Sequence, residues 1–148
     1  MKIVAPVRAT RTFSQRYGAS PDRVFPYLCP VREAEWVEGW DPSIVVSASG
    51  IAERDCVFIT QGPEAIWIVT EYEPPRRIEF VKVTPGLTVA RITIVLSGAG
   101  EHETQAEVTY SHTAIAEAGE RFVEGFTGEF YEAFMKEWEA ALSARLAT

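Results

Sequence analysis

The feature that most constrains the fold is a series of large apolar residues near the C-terminus, spaced at every fourth position. They are Phe122, Phe126, Phe130, Phe134, Trp138 and Leu142. This spacing predicts one long helix over residues 117–146 with an apolar stripe along one face. At 1.5 Å per residue the helix would be about 45 Å long. A helix of that length must lie along a large apolar surface, and a sheet is the surface available to it.

Alternating apolar and polar residues predict the strands of that sheet. They fall at residues 10–17, 44–49, 57–60, 65–72, 78–83, 88–96 and 104–113. Between two of them, Pro85 and Gly86 occupy the positions that proline and glycine prefer in a type II turn. A loose loop is expected over 97–102. Short turns between successive strands indicate an antiparallel meander.

Two short helices are expected between the first and second strands. Ser20 can cap a helix and Pro21 suits its first position. Pro26 and Pro30 then keep this helix short, and a second short helix is predicted over 31–39. With no repeat, linker or low-complexity segment, residues 1–148 are expected to form a single α+β domain.

Charge and composition narrow the function classes. A formal net charge of −7 and scattered basic residues argue against a nucleic-acid partner. No stretch approaches the ~20 apolar residues of a membrane span. Cys29 and Cys56 show no metal-type spacing and predict two free thiols. With too short an N-terminal apolar stretch for a signal peptide, a cytoplasmic monomer or homodimer is expected.

The order of elements resembles that of a known superfamily. The segment Glu71-Tyr72-Glu73-Pro74-Pro75-Arg76-Arg77-Ile78-Glu79-Phe80, with the opening Ala19-Ser20-Pro21-Asp22-Arg23-Val24-Phe25, is similar to START-like or Bet v 1-like proteins (SRPBCC, polyketide cyclase/dehydrase-like). The resemblance implies a helix-grip fold, in which a curved antiparallel sheet of about seven strands and two short helices meet one long C-terminal helix around a cavity. Members bind lipids, hormones, polyketides or other apolar molecules, and others are aromatase/cyclases or chaperone activators.

The second short helix offers the first candidate site residues. Glu33, Trp36 and Trp40 fall at i, i+3 and i+7, so one helix face would carry a carboxylate and two indoles. They form either a wall of the cavity, with the indoles stacked on an apolar ligand, or a plug between the short helices and the sheet.

The long helix would roof the cavity with Phe122, Phe126 and Phe130. Gly125 and Gly128 flank Phe126, although each glycine costs about 1 kcal/mol relative to alanine inside a helix. They either make room for a ligand or permit a bend, or they mark a plain kink or a close packing contact with the sheet.

The last strand supplies polar candidates. Tyr110 and His112 share the parity of apolar neighbours and are expected to face inward. His112 is then a general acid or base, a ligand hydrogen-bond partner, or a satisfied core group. For Arg91 the exposed convex face is favoured over the cavity. The strand of Trp67 is apolar on both faces, so the orientation of Trp67 stays open.

Three functions follow. The first is binding of a small hydrophobic or aromatic molecule by the nine candidates Glu33, Trp36, Trp40, Trp67, Tyr110, His112, Phe122, Phe126 and Phe130. The second is a cofactor-independent cyclase, aromatase or dehydratase in the same cavity, using His112, Tyr110 or Glu33 for proton transfer. The third is a protein-interaction module, which would show an apolar convex face and a collapsed cavity. No phosphate loop or metal-binding motif is present, so no cofactor or metal is expected.

Overall fold

A computed structural model describes all residues, 1–148. Its strands are β1 (Arg8–Tyr17), β2 (Ile44–Val46), β3 (Val57–Thr60), β4 (Ala65–Glu73), β5 (Arg77–Thr84), β6 (Thr88–Gly100) and β7 (Glu103–Ala114). Its helices are α1 (Pro21–Val24), α2 (Glu117–Gly125) and α3 (Gly128–Leu146), with 3₁₀ turns at Phe25–Leu28 and Arg32–Glu35. The strands form one antiparallel sheet in the order β1-β7-β6-β5-β4-β3-β2. The predicted α+β helix-grip architecture is confirmed.

The turn between β5 and β6 has the predicted geometry. Gly86 has a φ of +72°, and the amide of Leu87 donates to the carbonyl oxygen of Thr84 at 3.0 Å. The next hairpin differs from the prediction, because β6 continues to Gly100 and β7 begins at Glu103. Most of the loop expected at 97–102 is therefore strand.

Strand β2 is shorter than the predicted 44–49. The carboxylate of Glu53 accepts hydrogen bonds from the amides of Ala48 and Ser49 at 3.1 and 2.7 Å, and from the Ser47 hydroxyl at 2.9 Å. Local side-chain bonds of this kind compete with strand pairing, so the chain leaves the sheet after Val46.

The sheet curves so that alternate residues face the helices. Val69, Phe80, Ile92 and Val108 lie on this concave face, each at most 4% exposed. α3 lies across it with Met135 and Leu142 fully buried. Burial of one such side chain is worth about 1.5–3 kcal/mol, so this contact stabilises the domain.

The C-terminal segment is two helices, not the single helix expected over 117–146. α2 ends at Gly125, Phe126 adopts a non-helical conformation (φ −84°, ψ 63°), and Thr127 begins α3 by accepting a hydrogen bond from the amide of Phe130 at 3.1 Å. Thr127 is a preferred N-cap residue type. The break turns Phe126 inward, where only 3% of it remains exposed.

Candidate functional site

A cavity of about 570 Å³ lies between the sheet, α3 and the segment that follows the first 3₁₀ turn. Most of the side chains around it are aromatic or aliphatic. The lining residues are Glu33, Trp36, Val37, Glu38, Trp40, Phe58, Trp67, Phe80, Ile92, Tyr110, Phe134, Glu137, Trp138 and Ala141. Size and lining are those of a small-molecule site.

The floor of the cavity is built from inward-facing residues of neighbouring strands. Phe58 and Trp67 are register partners across β3 and β4, and their rings stack with centroids 5.1 Å apart. Phe80 stands nearly perpendicular to Trp67 at 6.2 Å. Trp67 donates from its Nε1 to Thr60 Oγ1 at 2.9 Å. The orientation left open by the sequence is thereby settled, because Trp67 faces the cavity and is 9% exposed.

The wall around Trp36 and Trp40 forms without the helix predicted over 31–39. Only Arg32–Glu35 is helical, as one 3₁₀ turn. The indole of Trp36 donates to the Tyr27 carbonyl oxygen at 3.0 Å, and that of Trp40 donates to the Pro30 carbonyl oxygen at 2.7 Å. These bonds fold the segment back onto the preceding turn in place of a regular helix. Glu33, Trp36 and Trp40 still all line the cavity.

Trp138, whose buried Nε1 has no hydrogen-bond partner, lines the cavity. The partly buried titratable groups of the lining are Glu33 and Tyr110. Neither side chain has a hydrogen bond or ion pair within the protein. Burial raises the pKa of the Glu33 carboxyl well above its ordinary value. Burial, and then the charges of Glu33 and Tyr131, raise the pKa of the Tyr110 hydroxyl well above its own. Glu33 is nevertheless partly exposed, because its side chain lines the cavity.

His112 faces inward as predicted but does not line the cavity. Its ring packs against Phe126 at 4.5 Å and Phe122 at 4.9 Å, and only 5% of the residue is exposed. Its Nδ1 has no hydrogen-bond partner. Burial, and then the nearby Lys82 ammonium, lower the pKa of His112 to about 4. His112 does lie beside Tyr110, with ring centroids 5.9 Å apart. The expectation that it reaches the cavity is wrong, because Phe122 and Phe126 pack against its ring.

The predicted aromatic roof is also wrong. Phe122 and Phe130 are 40% and 55% exposed, and Phe126 is buried away from the cavity. The break at Phe126 puts Phe122 and Phe130 on different helices. Even within one helix, residues four apart drift by about 40° per step, because a helix has 3.6 residues per turn. α3 instead presents Phe134 and Trp138 to the cavity.

Gly125 and Gly128 flank the break and do not line the cavity. A Cβ built on either would meet no atom within 4 Å. The two glycines accompany a bend, which is one of the alternatives that the sequence offers. Nothing in the structure supports the other alternative, that they make room for a ligand. The glycine in close contact is Gly119, whose added Cβ would lie 1.7 Å from the Leu87 carbonyl oxygen.

The sequence alone did not identify several of the residues that line the cavity. Phe58 and Phe80 could have been found from the inward parity of their strands, and Phe134 and Trp138 from a 3.6-residue period. Their identification as cavity residues required the fold.

The convex face of the sheet shows where Arg91 lies. Its side chain is 68% exposed, so the expected outward orientation is confirmed. Beside it, aliphatic residues pair across four strands on the outer surface: Ile44, Val46, Val57, Ile59, Ile66, Ile68, Val81 and Val83. An apolar convex face is one of the two features of the protein-interaction hypothesis. The other, a collapsed cavity, is not found.

No three His, Cys, Asp or Glu side chains are grouped as a metal site would require. None of the helices combines the length and the apolar character needed to cross a membrane.

Several solved structures are similar to this one in architecture. CalU16 from Micromonospora echinospora superposes with a TM-score of 0.61 and 20% identity, over 97% of this chain and 90% of that one. A point mutant of norcoclaurine synthase from Thalictrum flavum, in complex with a transition-state analogue, gives 0.71 at 12% identity over 98% of both chains. DynU16, from the dynemicin biosynthetic locus, gives 0.64 at 17% identity over 94% of this chain and 47% of that one. No protein-family model matches the sequence, and no curated protein matches it.

Sheet, closing helix and cavity together define a helix-grip domain. The chain has the fold of the START-like, or Bet v 1-like, superfamily, as the sequence predicts. The likeness at these identities concerns the fold.

Proposed function

We propose that the protein binds a small aromatic or apolar molecule in the cavity between the sheet and α3. The observation that carries the proposal is the cavity itself, about 570 Å³ in volume and lined mostly by rings. Binding sites for small molecules combine such apolar walls with a few polar groups that fix orientation. Glu33 and Tyr110, which have no partner in the protein, would supply that orientation.

The aromatic walls are held in place before a ligand arrives. Trp36, Trp40 and Trp67 each donate an indole hydrogen bond to another protein group. Ring positions fixed in this way reduce the entropy lost on binding. A planar ligand could stack on these rings, and aromatic pairs contribute about 0.5–1.5 kcal/mol beyond the area they bury.

A fluorescent probe tests the proposal. N-Phenyl-1-naphthylamine is uncharged at neutral pH and becomes fluorescent in an apolar site, so titration should give saturable binding. Ala141→Trp would fill the cavity from α3, whereas Ala144→Trp puts the same ring on the exposed side of that helix. Circular dichroism checks that both variants fold, and Val37→Trp fills the cavity from the opposite wall.

We expect Ala141→Trp and Val37→Trp to weaken probe binding about tenfold or more, and Ala144→Trp to leave it unchanged. An enhancement that survives in folded cavity-filled variants would place the probe elsewhere and contradict the proposal. No saturable binding by the wild type would also contradict it.

A cofactor-independent cyclase or dehydratase in the same cavity is the second candidate. Glu33 favours it, because a carboxyl whose pKa is raised by burial can hold a proton near neutral pH and transfer it. Tyr110 offers a second hydroxyl at the same cavity. The test is the cyclisation of a linear poly-β-keto thioester analogue, followed by liquid chromatography and mass spectrometry. Acceleration lost in Glu33→Gln and Tyr110→Phe supports catalysis; a rate equal to that in buffer contradicts it.

A further inference from the structure

The charged residues that line the cavity are all acidic. Its ionisable lining residues, tyrosine aside, are Glu33, Glu38 and Glu137, and no lysine, arginine or histidine lines it. Glu38 and Glu137 are exposed, whereas Glu33 is partly buried. A ligand entering this cavity therefore meets three carboxyl groups on the lining, and the nearest protein cation, Lys82, lies beside the cavity over the Trp67 ring.

Glu33 is a partly buried carboxyl without a partner in the protein. No hydrogen-bond donor or basic side chain pairs with it, although carboxylates elsewhere in the protein are paired: Glu35, for example, accepts from Arg32 and Arg145 at 2.8 Å each. Even partial removal of a carboxylate from water without a partner costs free energy. A ligand that brings a cation would remove that cost.

The aromatic walls also favour a cation. The faces of indole and phenol rings are electron-rich and attract ammonium groups. This protein shows the interaction next to the cavity, where Lys82 Nζ lies 4.7 Å from the centroid of the Trp67 ring. The indole N–H groups of Trp36 and Trp40 already donate to backbone carbonyl oxygens, whereas that of Trp138 has no partner and can donate to an oxygen atom of the ligand.

We propose that the cavity selects an aromatic ligand carrying a protonated amine, with the ring between the tryptophans and the ammonium paired with Glu33. This inference rests on the proposed binding function and names the charge of its ligand.

A measurable consequence concerns protons. Burial favours the neutral form of Glu33 in the empty cavity, whereas an ammonium beside it favours the carboxylate. Binding of an amine near neutral pH should therefore release a proton. Calorimetry in two buffers of different ionisation enthalpy measures that release.

Three ligands with the same ring and different charge test the inference. They are 2-(naphthalen-2-yl)ethylamine, 2-(naphthalen-2-yl)ethanol and 2-naphthylacetate, each used to displace N-phenyl-1-naphthylamine. We expect the amine to bind about tenfold or more tightly than the alcohol, since hydrogen bonds to charged groups are stronger than neutral ones. The carboxylate should bind weakest.

Glu33→Gln should remove the preference for the amine and the proton release, while the alcohol keeps its affinity. Glu124→Gln is the matched control: it removes the same charge from an exposed position on α2 away from the cavity.

The outcomes separate the two proposals. If the amine binds no better than the alcohol, or if none of the three displaces a bound probe, the inference is overturned and the binding function stands. If the probe itself does not bind, the binding function fails. Should Glu33→Gln not fold, the wild-type ligand order and its proton release decide the matter.

Discussion

The ammonium of Lys82 lies 4.7 Å from the centroid of the Trp67 ring, on the concave face of the sheet. The two residues are register partners across β4 and β5. Lys82 has no carboxylate partner, so the face of an indole takes the place of a counter-ion. The cavity floor at Trp67 is consequently bordered by a cation that belongs to the protein.

Lys82 should lose its proton at a lower pH than an ordinary lysine. Burial lowers the pKa of Lys82, whereas the hydrogen bond to Glu132 raises the pKa of Lys136. The sequence has three lysines, so the signals of ¹³C-dimethylated protein are easily assigned. We expect the Lys82 signal, identified by its loss in Lys82→Arg, to titrate below that of Lys136. The reverse order would show that Lys82 is solvated.

Gly119→Ala should destabilise the protein. The added Cβ would lie 1.7 Å from the Leu87 carbonyl oxygen, so backbone must move, and overpacking of this kind costs about 1–3 kcal/mol or more. Gly125→Ala is the control on the same helix, with open space at its Cβ, and should change stability by about 1 kcal/mol or less. Urea unfolding measures both, and equal effects would contradict the packing at Leu87.

The sheet was largely predictable because its signals are local. Alternation marked the inward face of β7, and Pro85-Gly86 marked the turn before β6. The acidic and aromatic character of residues 33–40 likewise pointed to Glu33, Trp36 and Trp40, which the structure places at the cavity although the expected helix is absent.

The break in the C-terminal helix could not be predicted in the same way. At the break Arg11 Nε donates to the Phe126 carbonyl oxygen at 3.2 Å, a contact between residues far apart in the sequence that no local pattern reveals. The four-residue period of the apolar side chains is unbroken over the segment, so the sequence predicts one continuous helix. Phe130 was therefore placed in the cavity, although it lies on the outer side of α3.

Acid should destabilise the protein through His112. The unfolded chain binds this proton near pH 6.5, but burial lowers the folded pKa to about 4. The unfolded state thus holds more protons between these values, and stability falls as pH drops through that window. Between pH 7 and pH 4 the free energy of unfolding of His112→Asn should therefore fall by roughly 2–3 kcal/mol less than that of the wild type.

The exposed His102 gives the control for that measurement. His102→Asn should follow the wild-type curve of unfolding free energy against pH, measured by urea titration. If His112→Asn also follows it, His112 is accessible to water in the folded protein.

The two faces of the sheet should respond differently to one chemical change. Valine to threonine keeps the shape and adds a hydroxyl. Val69 is fully buried on the concave face, so Val69→Thr leaves that hydroxyl short of water and should cost about 1–3 kcal/mol. Val46 is 61% exposed on the convex face, and Val46→Thr should stay within about 0.5 kcal/mol of the wild type. Urea unfolding of both variants measures the difference, and a large loss for Val46→Thr alone would mean that the convex surface, not the concave one, is the covered face.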